Sequence, residues 1–210
     1  MRDMERPEVV PGEEWQRVRD DLLVAEKEAT RALDALAARR RRLPMVKFDG
    51  GYRFDSHTGP RRLVDLFEGR DQLAVYQFMD VGPDAFCPGC TAFTDNVTDL
   101  RDLAESGVSW ATVSNMPLAQ IDAYKRERGW TMPFVSSRGT TFSEDCGSGT
   151  GFMLNVFLRS GEDVFRTYST TARGVDRLLF VNSVLDLCPY GRREDWEDSP
   201  PGWPQHPTYG

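Results

Sequence analysis

Two cysteines, Cys87 and Cys90, stand three residues apart with Pro88 and Gly89 between them. Chemistry at such a pair requires a thiolate, and a helix N-terminus can supply one. Its first turn offers unpaired backbone N–H groups and the positive end of the macrodipole. Cysteines placed this way ionise at pKa values of about 3.5 to 7.5, against about 8.5 for a free thiol. Cys87, at the edge of the helix expected to follow, is the attacking thiolate on this reading. Cys90, one turn further in, reaches back and resolves a mixed disulfide. Pro88 suits the first turn, where its missing N–H costs nothing. Gly89 adds no charge, whereas Asp84 nearby would raise the thiol pKa. The competing readings are half of a structural zinc site and a pair of inert thiols. A zinc site needs a second close ligand pair, but Cys146 and Cys188 are 42 residues apart and the only histidines are His57 and His206.

The elements around the dithiol follow from hydropathy. Leu73 to Met79 is mostly apolar and predicts a central strand buried on both faces. After the dithiol, Thr91 to Ala104 has helical spacing and ends at Gly107. Val108 to Val113 is a strand. Leu118 to Arg128 is a helix opened by Pro117 and closed by Gly129. Met132 to Ser136 is extended, and residues 137–150 read as a long polar loop. Gly151 to Leu158 and Asp163 to Tyr168 form a hairpin, and Val175 to Leu187 a final helix. Upstream, Met45 to Phe48 and Tyr52 to Phe54 read as a hairpin about Asp49-Gly50-Gly51, and Arg62 to Phe67 as one helical turn. A helix begins at Glu13 with Trp15, Val18, Leu22, Ala25, Ala29, Leu33 and Leu36 on one face, and stops by Pro44. That face needs an apolar partner, either its own domain or a second subunit. These elements predict an α/β fold: a mixed central sheet flanked by helices, with an N-terminal helical extension. The expected division is an N-terminal arm and helix over 1–44, a main domain over 45–195, and an extended tail over 196–210.

Composition narrows the function classes. Net charge is −7 with a pI near 5.0, the wrong sign for a nucleic-acid binder. No apolar run approaches a membrane span, and the N-terminus has no apolar leader, so the expected location is the cytoplasm. The run Arg39 to Arg42 reads as a solvated helix C-terminus whose cations complement the dipole; the sharper reading is a patch for an acidic partner or anionic lipid.

Several blocks together resemble the DUF899 family, a group with a predicted thioredoxin-like fold and dithiol–disulfide oxidoreductase activity. They include Arg41-Arg42-Leu43-Pro44, Leu66-Phe67-Glu68-Gly69-Arg70, Cys87-Pro88-Gly89-Cys90, Tyr124-Lys125-Arg126, and Thr167-Tyr168-Ser169-Thr170 with Ala172-Arg173-Gly174. The resemblance spans about residues 15–195 and implies a thiol or disulfide substrate, protein or small molecule, and no organic cofactor. Thioredoxin-like proteins usually place a cis-proline opposite the dithiol. The matching stretch here is Gly149-Thr150-Gly151, which puts Thr150 with Phe86 and Pro88 among the expected substrate contacts. A second resemblance is to peroxiredoxins, whose Pro-x-x-x-Thr-x-x-Cys spacing is met by Pro83, Cys87 and Cys90. It would make Cys90 the peroxide-attacking thiolate, with Arg173 as a candidate for polarising the peroxide. A third reading is a thioredoxin-fold binding or scaffold protein whose dithiol is not catalytic. The remaining expectations are these: Cys146 an exposed or half-buried thiol or else a third redox partner, Cys188 packed, His57 and His206 on the surface, and Trp15 an anchor against the body of the domain or a partner subunit. The apolar face of the N-terminal helix leaves a homodimer open.

Overall fold

In the computed structural model, residues 6–97 and 99–207 are described. The first five and last three residues, covering parts of the expected arm and tail, lie outside them, as does Thr98. The chain divides into two compact units: Pro44–Val181, and the N-terminal segment through Leu43 together with the chain from Asn182 onward.

The larger unit is built on one six-stranded sheet. Its strands are β1 (Val46–Phe48), β4 (Gln72–Gln77), β5 (Val108–Ser114), β6 (Phe134–Ser136), β7 (Met153–Ser160) and β8 (Asp163–Thr170), in the order β1-β8-β7-β4-β5-β6. β4, β5 and β6 run parallel. β7 runs antiparallel to β4, and β8 to β7. This is the mixed α/β sheet the sequence predicts, with β4 at its centre. Two strands of two residues, β2 (Arg53–Phe54) and β3 (Arg61–Arg62), pair separately.

Strand alternation gives β4 two different faces. Leu73 and Val75 point into a cluster with Phe54, Phe67, Phe142 and Phe157. Tyr76, with Phe78 just beyond the strand, packs on the other side with Cys90, Phe93, Met116, Tyr124 and Trp130. Both faces are therefore buried. The second cluster holds the base of the dithiol.

The helices are α1 (Gly12–Arg40), α2 (Pro88–Asp95), α3 (Arg101–Glu105), α4 (Leu118–Arg128), α5 (Phe142–Cys146) and α6 (Phe180–Leu185). α4 has its expected bounds, with Gly129 in the left-handed conformation at φ 69°. Elsewhere the sequence reading needs correction. The helix expected over Thr91 to Ala104 is two helices: α2 gives way at Asn96, and α3 restarts with Asp99 Oδ1 accepting the Arg101 amide at 2.9 Å. The expected hairpin about Asp49-Gly50-Gly51 does not form. β1 pairs with β8 instead, in the register Val46↔Arg166, and Gly50 sits where a Cβ would lie 2.9 Å from Val64. The polar loop 137–150 contains α5. The final helix is a 3₁₀ helix over Ala172–Leu178 followed by α6.

In the smaller unit, α1 ends at Arg40, ahead of Pro44, and none of its residues is buried. Trp15, expected to be an anchor, is 57% exposed. Near the other end of the chain, Arg192 makes two 2.7 Å hydrogen bonds to Asp186. The tail doubles back on itself there, with the His206 amide donating to the Arg193 carbonyl at 2.7 Å.

Candidate active site: the Cys87–Cys90 dithiol

The dithiol follows the carboxyl end of β4. Cys87 is the N-cap of α2, with extended backbone, and Pro88 occupies the first helical position. The Cys90 amide donates to Cys87 Sγ at 3.3 Å. The leading sulfur thus does the capping work usually done by a Ser or Asp oxygen, satisfying one of the orphan N–H groups of the first turn. Cys87 is half-buried, whereas Cys90 is buried beneath it at 1% exposure.

Cys90 is held in a different environment. Its Sγ accepts the Met79 amide at 3.4 Å and interacts with the Tyr76 hydroxyl. Burial dominates those donors and pushes the Cys90 thiol up to about 12. The inner thiol is therefore kept protonated while the outer one is accessible.

Two threonines one turn along fix the cysteine backbone. Thr91 Oγ1 donates to the Cys87 carbonyl at 3.0 Å, and Thr94 Oγ1 to the Cys90 carbonyl at 2.8 Å. Thr91 Oγ1 also lies 2.8 Å from Tyr124 Oη. With the Thr91 proton on Cys87, the tyrosine is the donor in that pair. The Tyr124 ring stacks on Phe86, with centroids 3.4 Å apart and planes within 5°. Tyr124 on α4 thus holds both the residue before Cys87 and the hydroxyl that binds its carbonyl. The sequence reading missed the roles of Thr91 and Tyr124. With Pro88 in the first turn, Thr91 lies one turn from Cys87 and could have been singled out; nothing local marks Tyr124.

The other expected site residues fall into place unevenly. Phe86 is half-buried on Tyr124, and Pro88 is exposed. The register Gln77↔Met153 brings the segment before β7 to the same end of the sheet as the dithiol. Thr150 in that segment is exposed, while Phe152 packs into the Cys90 cluster. Asp84 is exposed. Arg173 pairs with Asp176 at 3.4 Å.

Cys146 corrects the sequence reading: it is 2% exposed on α5, on the opposite face of the sheet, and burial pushes its thiol up to about 12. Cys188 is exposed rather than packed. Among the described residues, no three His, Cys, Asp or Glu side chains are grouped as a metal site. A cleft of about 520 Å³ lined by His57, Lys125, Arg126 and Trp130 includes neither dithiol cysteine. No helix of the described residues is long and apolar enough to cross a membrane.

The model of the DUF899 family, described as a bacterial protein of unknown function, matches residues 4–209. No curated protein matches the chain. Among solved structures, peroxidoxin BcpB from Mycobacterium tuberculosis is 20% identical with a TM-score of 0.48, over 65% of this chain and 92% of that one. The bacterioferritin comigratory protein of Xanthomonas campestris is 18% identical with a TM-score of 0.45, over 66% and 96%. A secreted disulfide oxidoreductase of Mycobacterium tuberculosis, homologous to Escherichia coli DsbE, is 12% identical with a TM-score of 0.43, over 61% and 91%.

Proposed function

This chain belongs to the DUF899 family, and from that premise and the geometry of its dithiol we propose that it is a thiol–disulfide oxidoreductase. The observation that carries the proposal is the division of labour within one helical turn. Cys87 is accessible, with the Cys90 amide aimed at its sulfur, while Cys90 is buried and held protonated.

In the reducing direction the Cys87 thiolate attacks one sulfur of a substrate disulfide. A Cys87–substrate disulfide forms, and the other substrate sulfur leaves as a thiolate. Cys90 then loses its proton and attacks Cys87 Sγ. The Cys87–Cys90 disulfide forms and the second substrate sulfur is released as a thiol. Two electrons have passed from the dithiol to the substrate. A dithiol donor restores the enzyme by the same steps in reverse, with no organic cofactor.

The substrate is a protein or small-molecule thiol or disulfide. Phe86, Pro88 and Thr150 are its proposed contacts, the first offering an apolar ring edge and the last a hydroxyl in the stretch where related folds carry proline. The proposed setting is the cytoplasm, where thiols are kept reduced.

The test is a redox titration of the Cys87–Cys90 pair with trapping of mixed disulfides. A reversible intramolecular disulfide is expected. Cys90→Ser is expected to accumulate a mixed disulfide on Cys87, and Cys87→Ser to form none. Thiols that neither oxidise to each other nor trap a partner would refute the activity and leave the scaffold reading.

A further inference from the structure

Helix α1 is 29 residues long and buries none of them. A polar helix can stand in water, but this one is not polar all round. Trp15, Val18, Leu22, Leu33 and Leu36 are between 40% and 62% exposed, and their spacing by steps of three and four puts them along one side. Ala25 and Ala29 continue the same line. The stripe runs about 32 Å, at roughly 1.5 Å per residue. Large side chains stand at its ends and small ones at its middle, so a second helix can approach closely at the centre.

The charges along α1 state which second helix fits. Glu13 and Glu14 open it, and Arg39 and Arg40 close it, with Arg41 and Arg42 just beyond. A parallel copy would set arginine against arginine at one end and glutamate against glutamate at the other. An antiparallel copy sets each glutamate pair against the partner's arginines, at both ends at once. Like charges brought together are excluded and unlike ones register the pair. An anionic membrane surface fits less well, because the helix carries seven acidic residues against six basic, whereas surface-lying helices are strongly basic on their polar face.

We infer that α1 is a dimerisation element: two copies of this chain associate through the Trp15–Leu36 stripe, with their α1 helices antiparallel about a twofold axis. The arrangement is isologous and closes on itself. It does not depend on the chemistry of the dithiol.

The experiment is sedimentation velocity on the full chain, with two charge-reversed variants. One carries Glu13→Lys and Glu14→Lys, the other Arg39→Glu, Arg40→Glu, Arg41→Glu and Arg42→Glu. The native chain is expected at twice its 23.8 kDa mass. Each variant alone puts like charges at both ends of the pair, and its dissociation constant should rise about tenfold or more. Mixing the two restores complementarity at both ends and should recover the dimer, which also shows that neither variant is misfolded. A monomeric native chain, whether or not it sediments with anionic vesicles, would overturn the inference. So would variants that dimerise separately as well as the native chain does.

Discussion

The backbone amide of Cys90 points at the sulfur of Cys87 across 3.3 Å. One cysteine therefore caps the helix that the other is buried in, and the two thiols, alike in sequence, differ in access, with burial pushing the inner one up to about 12. At neutral pH, Cys87 should be alkylated at least about tenfold faster than Cys90 or Cys146, whose thiols burial pushes up to about 12. Mass spectrometry of iodoacetamide-treated protein over a time course measures this. Labelling of Cys146 ahead of Cys87 would contradict the assignment of the attacking thiol.

Alkaline stability should fall through the same two buried thiols. Burial holds both well above the free-thiol value when folded. Above about pH 9 the unfolded chain releases these protons while the folded chain keeps them. The stabilisation is whole below pH 9 and is lost as pH climbs toward 12, at up to about 1.4 kcal/mol per pH unit for each thiol. Cys146→Ala removes one of the two contributions, so urea midpoints taken from pH 7 to 11 should decline less steeply in the variant. An unchanged slope would show that Cys146 is not kept protonated by the fold.

Tyr124 should matter through its hydroxyl as well as its ring. Tyr124→Phe keeps the stack on Phe86 but removes the hydrogen bond to Thr91, and should cost about 0.5–1.5 kcal/mol. A double-mutant cycle with Thr91→Val should give a coupling of about 0.5 kcal/mol or more between the two sites. The redox potential of the dithiol should shift in Tyr124→Phe, because Thr91 also binds the Cys87 carbonyl. Strict additivity with an unmoved potential would reduce Tyr124 to packing.

Asn155 is fully buried on β7, opposite Val75, and neither atom of its side-chain amide has a partner. An unpaired buried amide costs about 1–3 kcal/mol. Asn155→Leu, close in shape and without polar atoms, should raise the urea midpoint. A loss of more than about 1 kcal/mol would mean that the amide has a partner in solution, such as a bound water.

Gly89 needs no special backbone angle, and a Cβ there meets nothing within 4 Å. Gly89→Ala should stabilise α2 by about 0.5–1 kcal/mol with little effect on the Cys87 alkylation rate. A destabilised variant would show that the turn is more crowded in solution.

The sequence by itself determined the frame and the place of the dithiol within it. Cys-Pro-Gly-Cys after an apolar run names a dithiol at a helix start, because proline suits a first turn and thiolates are favoured there. The run Leu73 to Met79 fixed the central strand, and Pro117 and Gly129 fixed both ends of α4, since these signals act through neighbouring backbone alone. Tertiary structure decided what lay at longer range. The pairing of β1 with β8 rather than with β2 joins residues 46–48 to 164–166, and no local pattern encodes which distant edge a short strand takes. The burial of Cys146 on α5 and the hold of Tyr124 on Thr91 and Phe86 follow from packing between segments far apart in the chain. So does the burial of Cys90, over which Tyr76 and Met79 close from β4 and the residues just beyond it. Spacing can bring two sulfurs together, but only a packed environment leaves one within reach of solvent and buries the other.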